Sequence, residues 1–162
     1  MFSEGIGMVP VPFSFWLHPG VMSLSFRIFP NRGLVFVQYE GFLRIEDTLR
    51  VFGEYMQHPH CRPGQKQLVD LAGITGFERD FANLIAIQAK KVDVFSAGGV
   101  ETLMVYHAPG PIERDLSRII LRSWEPFDGV IPLIQDNEAD ALALLGQPER
   151  SFRDLLIHAG KV

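Results

Sequence analysis

Hydrophobic and polar residues alternate along the chain from residue 23 onward, and this alternation predicts a β-hairpin. Residues 23–28, SLSFRI, place an apolar side chain at every second position, which is the period of a strand with one buried face. Residues 30–33, PNRG, provide a turn, and residues 34–39 are rich in β-branched and aromatic side chains that suit a strand. We expect Gly41 to end this second strand.

Three stretches of helical periodicity follow the hairpin. Each carries apolar residues three or four positions apart, which form one face of a helix. We expect the first helix to end near residues 58–59, the second to begin at a cap formed by Asp80, and the third to follow residues 109–111. The predicted buried stripes are Ile45, Leu49, Phe52 and Met56, then Phe81, Leu84, Ile85, Gln88 and Val92, and then Ile112, Leu116, Ile119 and Ile120.

Short apolar runs predict three further strands, at residues 68–71, 102–106 and 130–134. We expect the first of these strands to lie at the centre of the sheet and residues 72–76 to form a turn after it. The resulting order, ββαβαβαβα, predicts a single α/β domain with a mixed five-stranded sheet and helices packed on it. Only the hairpin strands are expected to pair antiparallel, and right-handed crossovers are expected to join the later strands.

The end of the chain carries two more helical patterns. Asp136 is expected to open one helix, and Gly146 to end it in a left-handed cap. A last short helix is predicted from about Pro148, with Phe152, Leu155 and Leu156 on its buried side.

Composition and charge narrow the class of protein. The chain has 162 residues, 47% of them hydrophobic, a mean hydropathy of +0.12 and a formal charge of −4. Bulk attraction to nucleic acid or to an anionic membrane is therefore not expected, and no apolar run is long enough to span a bilayer. Cys61 is the single cysteine and has no partner for an intramolecular disulfide, which fits a cytoplasmic protein.

Residues 1–22 form a separate apolar, proline-containing segment. They include Phe13, Phe15 and Trp16 but no Lys or Arg, so the charged start of a secretory signal is missing. Aromatic side chains are costly to leave in water, so we expect this arm to pack on its own domain or on a partner subunit. We predict a homodimer to which the arm contributes, and Met22 is an alternative start of translation.

Several residue clusters are candidates for chemistry, and each has a simpler interpretation. His58, His60 and Cys61 are metal-ligand types, but no second cluster completes a zinc site. Ser96, Ser117, Ser123 and His107 contain the groups of a hydrolytic triad, yet the chain has no G-x-S-x-G elbow and no Walker A or dinucleotide motif. We therefore expect no enzyme activity, no metal and no cofactor.

Charged residues supply the remaining candidates. Asp70 lies in an apolar strand, where a carboxylate must be hydrogen-bonded, and we expect it to accept main-chain N–H groups of the turn that follows. Arg114, Arg118 and Arg122 are four residues apart and form a row on one helix face, suited to solvation, to an acidic partner or to a phospholipid headgroup. The candidate ligand or partner surface comprises Asp70, Thr75, Glu78, Arg79, Asp80, His107, Arg114, Arg118 and Arg122.

Three short motifs, in this order of elements, carry a family resemblance. They are YEGFL at residues 39–43, VDLAGITGF at residues 69–77 and EADAL at residues 138–142. Together they resemble the STAS domain of bacterial anti-sigma factor antagonists, and more closely the SpoIIAA-like proteins of unknown function. The resemblance covers residues 23–146, with residues 1–22 as an arm and residues 147–162 as a helical extension outside it.

The resemblance implies a non-catalytic regulatory domain that acts through protein contacts. In the antagonists a serine at the start of the helix after the third strand is phosphorylated, but here that stretch reads Glu78-Arg79-Asp80-Phe81, and Thr75 lies earlier in the turn. The phosphorylation switch is therefore not expected. Related STAS-like and Sec14-like folds hold lipids or nucleotides, so a carrier or sensor of a small apolar ligand is the alternative, with an enzyme of unknown chemistry third. An apolar cavity between the sheet and the helices at residues 80–92 and 112–123 would favour a ligand, and a filled core would favour protein partners.

Overall fold

The computed structural model describes residues 23–159 of the chain. The expectations about the N-terminal arm, its part in a homodimer and Met22 lie outside these residues. Within them the chain forms five strands and five α-helices. They are β1 (Ser23–Phe29), β2 (Leu34–Leu43), α1 (Ile45–Met56), β3 (Lys66–Phe77), α2 (Phe81–Phe95), β4 (Thr102–His107), α3 (Pro111–Trp124), β5 (Val130–Gln135), α4 (Glu138–Leu144) and α5 (Phe152–Ala159).

The strands form one mixed sheet in the order β1-β2-β3-β4-β5. β1 and β2 pair antiparallel, and every later neighbour pairs parallel. The predicted α/β class, the five-stranded mixed sheet and the central third strand are thus confirmed. In the described part of the chain no helix is both long enough and apolar enough to cross a bilayer.

Alternate residues of each strand enter two apolar cores on opposite faces of the sheet. One core contains Phe26, Val69 and Tyr106 and is covered by helices α1, α2 and α3. The other contains Phe36, Leu68 and Val105 and is covered by α4 and α5. This two-sided coverage explains why the parallel strands β3 and β4 read as nearly continuous apolar runs.

The second and third strands are longer than predicted. Gly41 does not end β2, and residues 72–76 are not a turn, because β3 continues beside β2 as far as Phe77. The pairing shifts register next to Gly41, which has a φ of +87°. Glycine adopts this left-handed conformation without steric cost, so the strand passes through a bulge where a sequence pattern suggests an end.

The ends and faces of the helices differ from prediction in several places. Asp80 caps α2 as predicted, with its Oδ1 accepting from the Asn83 N–H at 3.1 Å. Asn137, not Asp136, caps α4 by accepting from the Asp140 N–H at 2.8 Å, and Gly146 ends the helix region with a φ of +73°. α5 begins at Phe152, later than predicted, directly after Ser151, whose Oγ accepts from the Asp154 N–H at 3.1 Å.

Three residues assigned to buried stripes are exposed instead. Ile112, Met56 and Phe81 are 42%, 47% and 36% exposed. They lie in the first or last turn of their helices. On α3 the covered face instead includes Glu113, Leu116, Ser117, Ile120, Ser123 and Trp124.

Candidate functional site

An apolar cavity of about 340 Å³ lies between the sheet and helices α1, α2 and α3. A cavity in this position is expected of a ligand-binding domain, whereas a filled core is expected of a protein-binding domain. Its sheet side includes Val37, Tyr39, Val69, Leu71, Met104 and Tyr106. Its helix side includes Val51, Phe52, Leu84, Leu116, Ile119 and Ile120. The lining therefore combines β-branched residues of the strands with the inward stripes of three helices.

The exposed members of the lining mark where the cavity meets solvent. They are Glu78, Arg79, Asp80, Phe81 and Arg122. The segment from Glu78 to Phe81 connects β3 to α2, and Arg122 lies on α3 with its guanidinium 5.2 Å from the centre of the Phe81 ring. The opening is therefore rimmed by charged residues and by one exposed aromatic ring.

Each charged residue between β3 and α2 has a local partner. Glu78 accepts a hydrogen bond from the Ile45 N–H at 2.9 Å, at the start of α1, while Asp80 caps α2. The Arg79 guanidinium lies 4.4 Å from the centre of the Phe77 ring. The two carboxylates are thus engaged at helix N-termini, where unpaired N–H groups favour an anion.

Two polar side chains of α2 border the cavity among apolar neighbours. Gln88 is 1% exposed, and its Nε2 donates to the Ser123 Oγ at 3.0 Å. Its Oε1 is buried and has no hydrogen-bond partner within residues 23–159. Lys91 also lines the cavity, and within residues 23–159 no carboxylate pairs with it. Removal from water lowers the pKa of its ammonium to about 8, because burial disfavours the charged form.

The buried tyrosines supply neutral hydroxyls to the same cavity. The Tyr39 hydroxyl is 3.5 Å from the Thr48 Oγ1. The Tyr106 hydroxyl accepts from the Trp124 Nε1 at 3.0 Å and donates to the Met104 Sδ at 2.8 Å. Burial raises the pKa of both phenols, so neither carries a charge near neutral pH.

Asp70 and His107 meet on the opposite face of the sheet from the cavity. The Asp70 Oδ1 accepts from the Ala72 N–H at 3.1 Å, which confirms the predicted main-chain bond. The same oxygen is 2.9 Å from the His107 Nδ1, and the Gln38 Nε2 donates to Oδ2 at 3.3 Å. The His107 ring packs edge-on against Phe152 of α5 at 5.0 Å. The pair therefore links β3 and β4 beneath α5.

The other candidate residues are dispersed. Arg114 and Arg118 are exposed on α3, and Arg118 pairs with Asp115 at 3.0 Å, so only Arg122 of the arginine row reaches the cavity. Thr75 is exposed on β3. His58 accepts from the His60 N–H at 3.0 Å, and the described part of the chain contains no cluster of three metal-ligating side chains.

The serine hydroxyls of the suggested triad bond to the main chain. Ser96 donates to the Gly129 carbonyl and Ser117 to the Glu113 carbonyl, both at 2.7 Å. Ser123 donates to the Ile120 carbonyl. None of the three is hydrogen-bonded to His107 within residues 23–159, so the structure does not assemble them into a triad.

Lys91 was missed by the sequence analysis, although the sequence contains a signal for it. The residues of α2 that line the cavity are Phe81, Leu84, Gln88, Lys91 and Phe95, which alternate at spacings of three and four. This period places Lys91 on the same face as Gln88. The signal in the sequence is therefore a lysine on a helix stripe whose other members are apolar or amide side chains.

Comparison with known proteins adds no assignment to these observations. No protein-family model matches the sequence, and no curated protein gives a significant match. The functional assignment therefore rests on the geometry of the site.

Proposed function

We propose that this protein is a non-enzymatic, STAS-like binding domain whose ligand is a small apolar molecule held between the sheet and helices α1, α2 and α3. The observation that carries the proposal is the apolar cavity of about 340 Å³ in that position. A filled core would favour regulation through protein contacts alone. The mixed sheet and its order of elements support the STAS-like part of the proposal.

The size of the cavity limits the ligand. Binding pockets for small molecules commonly occupy roughly 300–1,000 Å³, and a cavity of about 150 Å³ is known to hold benzene, which has six heavy atoms. By proportion, 340 Å³ accommodates about ten to fourteen heavy atoms. An aliphatic chain of this length would gain binding free energy from the apolar area that it buries.

Decan-1-ol, an uncharged chain of suitable size, is the probe that tests this proposal. We expect isothermal titration calorimetry to show saturable binding at one site, with a negative heat-capacity change because apolar surface is buried. Leu84→Trp places an indole in the cavity wall and is expected to abolish this binding. The matched control is Ile157→Trp, because Ile157 is exposed on α5, on the other side of the sheet.

Two results would contradict the proposal. The first is an absence of decan-1-ol binding to the folded wild-type protein. The second is equal binding by Leu84→Trp and the wild type, which would locate the probe elsewhere. Circular dichroism melting curves of all three proteins establish that each is folded.

A further inference from the structure

We infer that the natural ligand is an amphiphile with one terminal carboxylate, which Lys91 binds as the counter-ion and Gln88 as a second hydrogen-bond partner. The inference deepens the proposed function and rests on it. It names the chemical class of the ligand from the polar groups that the cavity presents.

Gln88 and Lys91 lie side by side in the cavity wall. Gln88 and Lys91 are three residues apart on α2, so they are neighbours on one helix face. Leu84 and Phe95 flank them along the same stripe, and all four residues line the cavity. The polar groups thus form one compact spot in an apolar wall, which matches a ligand with a polar end and an apolar chain.

The charged groups of the lining favour an anionic ligand. Its carboxylates are Glu78 and Asp80, and both are engaged at helix N-termini. Its cations are Arg79 and Arg122, which stack on aromatic rings at the opening, and Lys91. The tyrosine hydroxyls at positions 39, 55 and 106 are neutral. Among residues 23–159 the Lys91 ammonium is left without a counter-charge, and a bound carboxylate supplies one.

The amide of Gln88 also favours an anionic ligand. Its Nε2 donates to the Ser123 Oγ, while its Oε1 has no partner in the described part of the chain. A half-turn of the amide exchanges these two atoms. The Ser123 hydroxyl then turns from the Ile120 carbonyl to donate to Oε1, and Nε2 is free to donate to a carboxylate held by Lys91. An unpaired buried polar atom is costly, and this rearrangement gives both polar atoms of the Gln88 amide a partner when the ligand is bound.

The single ammonium also selects among anions. A carboxylate carries one negative charge, which Lys91 neutralises. A phosphate monoester carries nearly two charges at neutral pH and would leave an uncompensated charge in an apolar cavity. We therefore expect decanoate to bind more tightly than decyl phosphate.

The test compares decanoate with decan-1-ol at pH 7 on the full-length protein by calorimetry. We expect wild type to bind decanoate roughly ten- to hundredfold more tightly than the alcohol, because a charge-assisted bond is gained. Lys91→Met keeps the length of the side chain and removes its charge. We expect this variant to lose the preference for decanoate while it still binds decan-1-ol. Lys90→Met is the matched control, because Lys90 is exposed and is not part of the lining.

The outcomes separate this inference from the proposed function. Equal affinity of wild type for decanoate and decan-1-ol, an unchanged decanoate affinity in Lys91→Met, or tighter binding of decyl phosphate would overturn the carboxylate assignment while leaving the apolar site in place. Failure of both ten-carbon probes to bind wild type would instead reject the proposed function. Gln88→Leu is a second variant, in which we expect a smaller loss for decanoate than for Lys91→Met, and no loss would remove Gln88 from the site.

Discussion

At the scale of single residues, Asp70 shows how hydrogen bonds accommodate a buried carboxylate. The residue is 7% exposed, and its carboxylate is hydrogen-bonded to Ala72, His107 and Gln38. Three partners satisfy most of the acceptor capacity of the carboxylate. The residue lies on the α5 side of the sheet, away from the cavity, so its contribution is to stability.

We predict that Asp70→Ala lowers the free energy of unfolding by about 1–3 kcal/mol, because donors on two strands lose their acceptor in a buried place. Asp70→Asn keeps an acceptor oxygen and is expected to lose less. Urea denaturation followed by circular dichroism measures both changes. Asp93→Ala, at an exposed position of α2, is the control and should change stability by less than about 0.5 kcal/mol. Equal stability of Asp70→Ala and the wild type would contradict this account.

At the scale of elements, the extended pairing of β2 with β3 depends on a glycine. A Cβ atom at Gly73 would lie 2.9 Å from the Glu40 Cγ and 3.1 Å from the Tyr39 carbonyl oxygen. The register also shifts at this point of the ladder. The close approach of the two backbones, which extends β3 toward the opening of the cavity, therefore requires the absence of a side chain.

We predict opposite effects for one substitution at two glycines. Gly73→Ala should destabilise the protein by about 1–3 kcal/mol, because the added methyl group overpacks the strand pair. Gly53→Ala should stabilise it by about 0.5–1 kcal/mol, because Gly53 lies inside α1 with no atom near the position of the new Cβ. Thermal melting of the two variants measures the difference. An unchanged or higher melting temperature of Gly73→Ala would show that the β2–β3 contact does not depend on Gly73.

At the scale of the whole molecule, the two faces of the sheet differ in how completely they are packed. Leu68 and Leu71 are both on β3 and are 0% and 1% exposed. Leu68 belongs to the core covered by α4 and α5, whereas Leu71 belongs to the other core and borders the cavity. Leu71 lacks packing partners on its cavity side, so it makes fewer favourable dispersion contacts.

We therefore predict that Leu68→Ala lowers the free energy of unfolding more than Leu71→Ala does. Truncation of a leucine in a filled core typically lowers the free energy of unfolding by about 3–5 kcal/mol. For a leucine beside existing empty space we expect a smaller loss, about 2–3 kcal/mol. Urea unfolding without added ligand measures both values. Addition of decan-1-ol should raise the stability of the wild type by mass action. A larger cost for Leu71→Ala without ligand would mean that the cavity face is as tightly packed as the other.

The hydrophobic pattern by itself determined the class of fold, the number of strands, their mixed pairing and the cap at Asp80, because these depend on local periodicity and on short-range hydrogen bonds. It predicted ends too early at Gly41 and at residue 71, since a bulge and a close backbone approach involve a neighbouring strand. It also predicted that Asp70 is satisfied by the main chain, but not that His107 is a further partner.

Only the tertiary structure decided which charged residues share a site. The arginine row on α3 is regular in sequence, yet Arg122 alone reaches the cavity. Gln88 and Lys91 form a candidate recognition site only because three helices cover the sheet and leave an empty space between themselves and it. Empty volume is a property of the fit between distant side chains, and a linear pattern carries no measure of it.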